Sequence, residues 1–185
     1  MKKLILSTAL FFGTLVTVSA QKNTLLVAGN ISYEKDDQND TRTYDFSPKI
    51  GYQFSDHWTI GVESAMGRSE NKSTSDAINN YSLGGFVRYT LPINKTFAFF
   101  TDFSGGYKRL EDKTSLSYVV YDGFYASATP SLFINMKNGF GLNFNIGSIG
   151  YSKLDGKDFN YERSDFNANF GRSVGFGISK NFGLN

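Results

Sequence analysis

The chain has 185 residues, with 19 Lys and Arg against 17 Asp and Glu, a single His and no Cys. The absence of cysteine excludes disulfides and thiolate metal sites, and the small charge imbalance offers no basic surface for phosphates, so no nucleic-acid partner is expected. A mean hydropathy of -0.30 excludes a bundle of membrane helices, yet it suits a transmembrane barrel, whose lipid-facing and lumen-facing residues alternate and average out.

Residues 1–20 place Lys2 and Lys3 ahead of an apolar run from Leu4 to Val18, followed by the small residues Ser19 and Ala20. This pattern is that of a secretory signal peptide cleaved before Gln21. The alternative, an anchoring helix, needs about 20 apolar residues, and the run falls short. The expected mature domain spans 21–185, and with Lys2 and Lys3 removed it carries 17 basic and 17 acidic residues.

From Thr24 onward the chain shows a period of two, the mark of strands with two unlike faces. The first segment, Thr24 to Glu34, alternates outward Leu25, Val27, Ile31 and Tyr33 with inward Ala28, Asn30, Ser32 and Glu34. Arg42 to Phe54 sends Tyr44, Phe46, Ile50, Tyr52 and Phe54 out, and Asp45, Lys49 and Gln53 in. Pro48 interrupts it; lacking an N–H, it predicts a bulge or a locally unpaired position. A turn at Ser55, Asp56 and His57 leads to Trp58 to Ser69, with Trp58, Ile60, Val62 and Met66 out and Glu63 in. The fourth segment, Tyr81 to Leu91, has Leu83, Val87 and Tyr89 outward and Phe86 and Arg88 inward. After a turn at 92–95, Phe97 to Arg109 directs Phe97, Phe99, Phe103 and Tyr107 out, and Phe100, Asp102, Ser104 and Lys108 in.

The sixth segment is clear from Phe124 to Ile134, with Tyr125, Ser127, Thr129, Ser131 and Phe133 inward. Its turn contains Asn138 and Gly139, residues that accept the positive φ of tight hairpins. Phe140, Leu142, Phe144 and Ile146 form the outward row of the seventh segment. The eighth, Phe166 to Phe182, keeps Phe166, Phe170, Phe176, Ile178 and Phe182 on one face and small or polar residues on the other. Polar stretches after segments one, three, five and seven are long, and those after two, four and six are short. Such asymmetry predicts a closed, antiparallel, eight-stranded transmembrane β-barrel with the short turns and both termini in the periplasm. A soluble barrel would expose the aromatic rows to water as large patches.

On these rows the chain resembles the small eight-stranded outer-membrane barrels of the OmpA/OmpX type, from Thr24 to Phe182. The resemblance implies residence in the outer membrane of a bacterium. It also implies that the last strand, where Val174, Phe176, Ile178, Lys180 and Phe182 fill the register, is read by the barrel-insertion machinery. Gly183, Leu184 and Asn185 extend past that aromatic end.

The inward rows hold Glu34, Asp45, Lys49, Glu63, Arg88, Asp102 and Lys108. Eight strands leave an interior only wide enough for side chains, so these charges are expected to pair and plug the lumen; the alternative is a narrow ion path. Arg42, Arg68, Arg109 and Arg172 each lie ten to twelve residues from the aromatic marking the periplasmic end of their segment. Since about 9 to 11 residues cross the hydrocarbon, all four are expected at the outer-leaflet rim, either contacting lipopolysaccharide phosphates or snorkelling. No catalytic site, cofactor or metal site is expected. His57 falls in a periplasmic turn, on the wrong side for the histidine-dependent lipid-modifying enzymes among outer-membrane barrels. The expected role is structural or adhesion-like, with membrane lipid and an unknown surface ligand as partners. A solute-conducting barrel and a lipid-modifying enzyme are the rivals.

Overall fold

The computed structural model describes residues 22–36, 40–114, 117–136, 138–156 and 162–183, without the side chains of 172–174. Eight antiparallel strands close into a barrel in sequence order: β1 (Thr24–Asp36), β2 (Thr41–Gln53), β3 (Trp58–Asn71), β4 (Ala77–Pro92), β5 (Phe97–Lys113), β6 (Tyr118–Asn135), β7 (Phe140–Gly156) and β8 (Glu162–Gly183). The alternation read from the sequence becomes the two faces of one wall. Ile60, Val62, Leu83, Phe103, Phe124 and Ile178 lie exposed on the outside, while Leu26, Ala28 and Phe86 are buried inside. A cylinder with such an outer surface is stable only against hydrocarbon, where closing the ladder satisfies backbone groups that lipid cannot.

The turns at the end carrying the chain termini are tight and locally determined. Ser55 Oγ accepts from the Trp58 N–H at 3.0 Å, and Asn94 Oδ1 accepts from the Thr96 and Phe97 N–H groups, each at 2.8 Å. Asn138 and Gly139 adopt φ of 59° and 75°, as the Asn-Gly pair requires. Lys180 Nζ caps that turn by donating to the Asn138 carbonyl at 2.7 Å. At Pro48 the wall shows a local gap and no bulge: the β2–β3 ladder skips from Phe46↔Met66 to Lys49↔Glu63, three steps on each strand.

The strands run further than the apolar rows alone suggest. β3 continues to Asn71, β4 begins at Ala77, β5 reaches Lys113, β6 begins at Tyr118, β7 extends to Gly156 and β8 begins at Glu162. Parts of three stretches expected as loops are therefore ladder. Backbone pairing persists beyond the hydrocarbon because polar side chains on neighbouring positions pair with each other, as Lys153 does with Glu162 at 3.0 Å.

Two irregularities break the register. Between Ala128↔Ile149 and Ser131↔Asn145 the β7 strand takes one more step than β6. Between Asn145↔Gly175 and Gly147↔Phe170 the β8 strand takes five steps against two, and Gly171 holds a positive φ of 72° within that bulge. The extra β7 residue moves the outward row to odd numbers, Ile149 and Tyr151.

Candidate functional site

Four of the seven inward charges meet at mid-barrel. Hairpin geometry places them: Lys49 and Glu63 each lie seven residues from Asp56, and Arg88 and Asp102 each lie seven residues from Lys95. Each pair is thus directly opposed across its ladder, Lys49↔Glu63 and Arg88↔Asp102. Lys49 Nζ lies 2.7 Å from Glu63 Oε2 and 2.9 Å from Asp102 Oδ2, a link that crosses the lumen from β2 to β5. Arg88 binds the same carboxylate with two prongs, Nε to Oδ1 at 2.7 Å and Nη2 to Oδ2 at 3.0 Å. Asp102 and Arg88 are buried, at 3 % and 7 % exposure.

Aromatic rings complete the layer. The Arg88 guanidinium stacks 3.7 Å from the Phe100 ring centre, and Lys49 Nζ sits 5.2 Å from that of Phe86, both within cation–π range. Tyr125 donates its hydroxyl to Glu63 Oε1 at 2.8 Å. The four ionised groups sum to zero, and each carboxylate is met by more than one donor. That arrangement repays desolvation where a single pair would not.

The other three inward charges stay outside this cluster. Asp45 accepts from Ser32 Oγ at 3.1 Å, and it lines with Glu34 a separate cavity of about 570 Å³ in the half of the lumen away from the chain termini. Lys108 is half-buried and lies in the field of Asp165 and Arg163. Those two, joined at 2.8 Å, were missed because they fall in a stretch expected as loop; they share the inward parity of Asn167 and Asn169, which was the available signal. Smaller cavities of about 230 Å³ and 120 Å³ flank the charged layer, the first on the side away from the chain termini and the second on the terminal side.

On the outside, Arg42, Arg68 and Arg109 sit near the ends of β2, β3 and β5 that lie away from the chain termini. The Arg172 side chain falls outside the described residues. Arg68 pairs with Glu70 and Arg109 with Glu111, each at 3.2 Å, while Arg42 stands opposite Glu70 in the ladder. The Arg42 Nε is buried with no hydrogen-bond partner among the described residues. Tyr107 donates its hydroxyl to Asp122, the residue opposite Arg109. The rim is thus a belt of mixed charge above a row of tyrosines, among them Tyr33, Tyr44, Tyr81 and Tyr107, which are exposed and suited to the membrane interface. His57 Nδ1 lies 2.9 Å from the Thr90 carbonyl, at the opposite end of the wall.

Closed wall, apolar exterior and polar interior define the class: an eight-stranded transmembrane β-barrel of the outer-membrane type. Among solved structures, the chain is similar to Neisserial surface protein A, with a TM-score of 0.55 at 12% identity over 86% of this chain and 96% of that one. It also aligns with the N-terminal β-barrel domain of Pseudomonas aeruginosa OprF, with a TM-score of 0.49 at 16% identity over 87% and 98%. A third match is Ail, the attachment invasion locus protein of Yersinia pestis, with a TM-score of 0.43 at 14% identity over 86% and 97%. No family model and no curated protein matches the chain.

Proposed function

We propose that this protein is a non-enzymatic outer-membrane barrel whose lumen is plugged by its own side chains and whose role is structural or adhesion-like. The observation that carries this reading is the neutral Lys49, Glu63, Arg88 and Asp102 layer, packed between Phe86 and Phe100 at mid-barrel. The outer ends of the strands then present the surface on which a partner would act. In the same reading residues 1–20 direct export, the termini are periplasmic and the aromatic end of β8 engages the insertion machinery. Planar-bilayer recording tests the plug, with a heat-modifiable gel shift to establish that the barrel has formed. Folded protein is expected to give no steady conductance, and Glu63→Ala is expected to lower the melting temperature while leaving the bilayer silent. Steady, salt-dependent current from the folded parent would install the solute-conducting reading, which the cavities on both sides of the layer favour.

The rim arginines support a contact with lipopolysaccharide. Exposed ion pairs such as Arg68–Glu70 contribute at most about 1 kcal/mol, so a phosphate can displace the carboxylate at little cost and gain a bidentate partner. Replacing Arg42, Arg68, Arg109 and Arg172 together by Ala is expected to reduce the lipopolysaccharide retained in native mass spectrometry several-fold. Equal retention would reduce these arginines to snorkelling side chains.

A further inference from the structure

On the side of the charged layer away from the chain termini the lumen forms a vestibule. Its two cavities, of about 230 Å³ and 570 Å³, share Asn30, Ser47, Thr129 and Asn145 in their linings, so they adjoin at a neck built by β1, β2, β6 and β7. Lys49, Glu63, Arg88 and Asp102 line the inner cavity and make its floor. Glu34 and Asp45 line the wider one, whose size alone falls in the range of ligand pockets, roughly 300–1,000 Å³.

The wall is shaped at this neck. β6 and β7 pair step for step except between Ala128↔Ile149 and Ser131↔Asn145, where β7 takes one extra residue. Such bulges bend a strand and re-aim its side chains, and they are over-represented beside functional sites. This one spans Thr129 and Ser148, which line the wider cavity with Asn145. Asn145 Oδ1 accepts from Ser131 Oγ at 2.8 Å, which leaves the two donors of its NH2 group to the vestibule.

The lining sets the chemistry. Ordinary ligand pockets are mostly apolar with a few placed polar groups, and this one is the reverse. Ser82, Ser104, Ser127 and Asn143 join the neck residues around the inner cavity, where Phe100 is the one large apolar side chain among the described residues. Hydroxyls and carboxamides both donate and accept, so a complementary ligand does both at many closely spaced positions. A charged head group finds no uncommitted counter-charge at the floor, because the four ionised groups there neutralise one another. An alkyl or aryl ligand would strip water from these polar groups and return no hydrogen bond. A sugar replaces each displaced water with a hydroxyl that makes the same bonds.

We infer that the vestibule is a saccharide-binding site, which takes a neutral pyranose unit at the neck among Asn30, Ser47, Thr129 and Asn145, with Asp45 and Glu34 accepting from hydroxyls nearer the mouth. The neck lies to one side of the charged layer, so the site does not depend on whether the lumen conducts.

The refolded full-length barrel, isotope-labelled in dodecylphosphocholine micelles, is titrated into the tens-of-millimolar range with glucose, galactose, mannose or N-acetylglucosamine, and with ethylene glycol as control. The side-chain amide signals of Asn30, Asn143 and Asn145 read the vestibule, and those of Asn94 and Asn135, at the other end, are the internal reference. At least one sugar is expected to shift the vestibule amides saturably with a single dissociation constant, and ethylene glycol to shift them at least tenfold less at equal hydroxyl concentration. Thr129→Val, which removes a hydroxyl at nearly constant volume, is expected to weaken binding at least threefold. Thr129→Phe, which fills the neck, is expected to abolish binding while the folded gel band remains; if that variant does not fold, the Val variant carries the test alone. Shifts that grow linearly with every polyol, ethylene glycol included, mean a space filled by solvent only and overturn the site. So does an unchanged dissociation constant in Thr129→Val, or the absence of any shift with all four sugars. Because the titration needs no bilayer, current through the folded barrel would overturn the plug and leave this site standing.

Discussion

Asp102→Ala is expected to destabilise the barrel by about 3–5 kcal/mol, the usual cost of removing one partner from a buried ionic cluster. The carboxylate is 3 % exposed and takes three charged contacts, two from Arg88 and one from Lys49. Without it Arg88 stays at mid-barrel with two aromatic neighbours and no anion. Lys49 keeps Glu63, so the loss falls chiefly on the guanidinium. Urea unfolding of the refolded protein in neutral lipid vesicles reads the change. Arg88→Leu introduced into the Asp102→Ala background is expected to recover most of it, since the penalty arises from an orphaned charge and not from the missing contact itself. A single variant within about 0.5 kcal/mol of the parent, the range of an ordinary surface substitution, would mean that water reaches this layer freely.

Side-chain parity was legible in the sequence because a strand facing lipid on one side and a polar lumen on the other cannot mix its rows. Phe99, Phe103 and Tyr107 against Phe100, Asp102 and Lys108 already state the two faces of β5. The pairing within the charged layer was legible in principle from hairpin symmetry, through the equal spacing of Lys49 and Glu63 about Asp56. Glu34, Asp45 and Lys108 share the inward parity but not the height, and parity says nothing of height without the register. Strand lengths were underread where the outward rows turn from apolar to charged, at Glu70, Glu111 and Asp155, because the ladder outlasts the membrane. The β8 bulge was invisible for a subtler reason. Phe170 and Phe176 are an even number of residues apart, so the bulge between them leaves the alternation of β8 intact while it displaces the strand against β7.

Gly61→Ala is expected to cost about 4 kcal/mol or more, enough to place it among exceptional single substitutions, and to abolish the folded gel band under ordinary refolding. Gly61 stands opposite Gly51 on β2 and Phe86 on β4. A β-carbon at this position would come within 2.1 Å of the Ile50 carbonyl oxygen and 2.5 Å of the Gly51 Cα. Both are backbone atoms of the neighbouring strand, so no rotamer change relieves the clash and the two strands must part. A third contact, 2.7 Å from Phe86 Cε1, shows what the two glycines leave room for. The Phe86 ring, 2 % exposed, fills the lumen beside the bare backbone and stands against the Lys49 ammonium. Gly85→Ala is the matched control, because its β-carbon would meet nothing nearer than the Gly61 carbonyl at 3.6 Å, and its effect is expected to stay within about 0.5 kcal/mol. Should both variants refold with the unfolding midpoint of the parent, the close approach of β2 and β3 around Gly51 and Gly61 would be refuted, and with it the seat of Phe86 on which the charged layer rests.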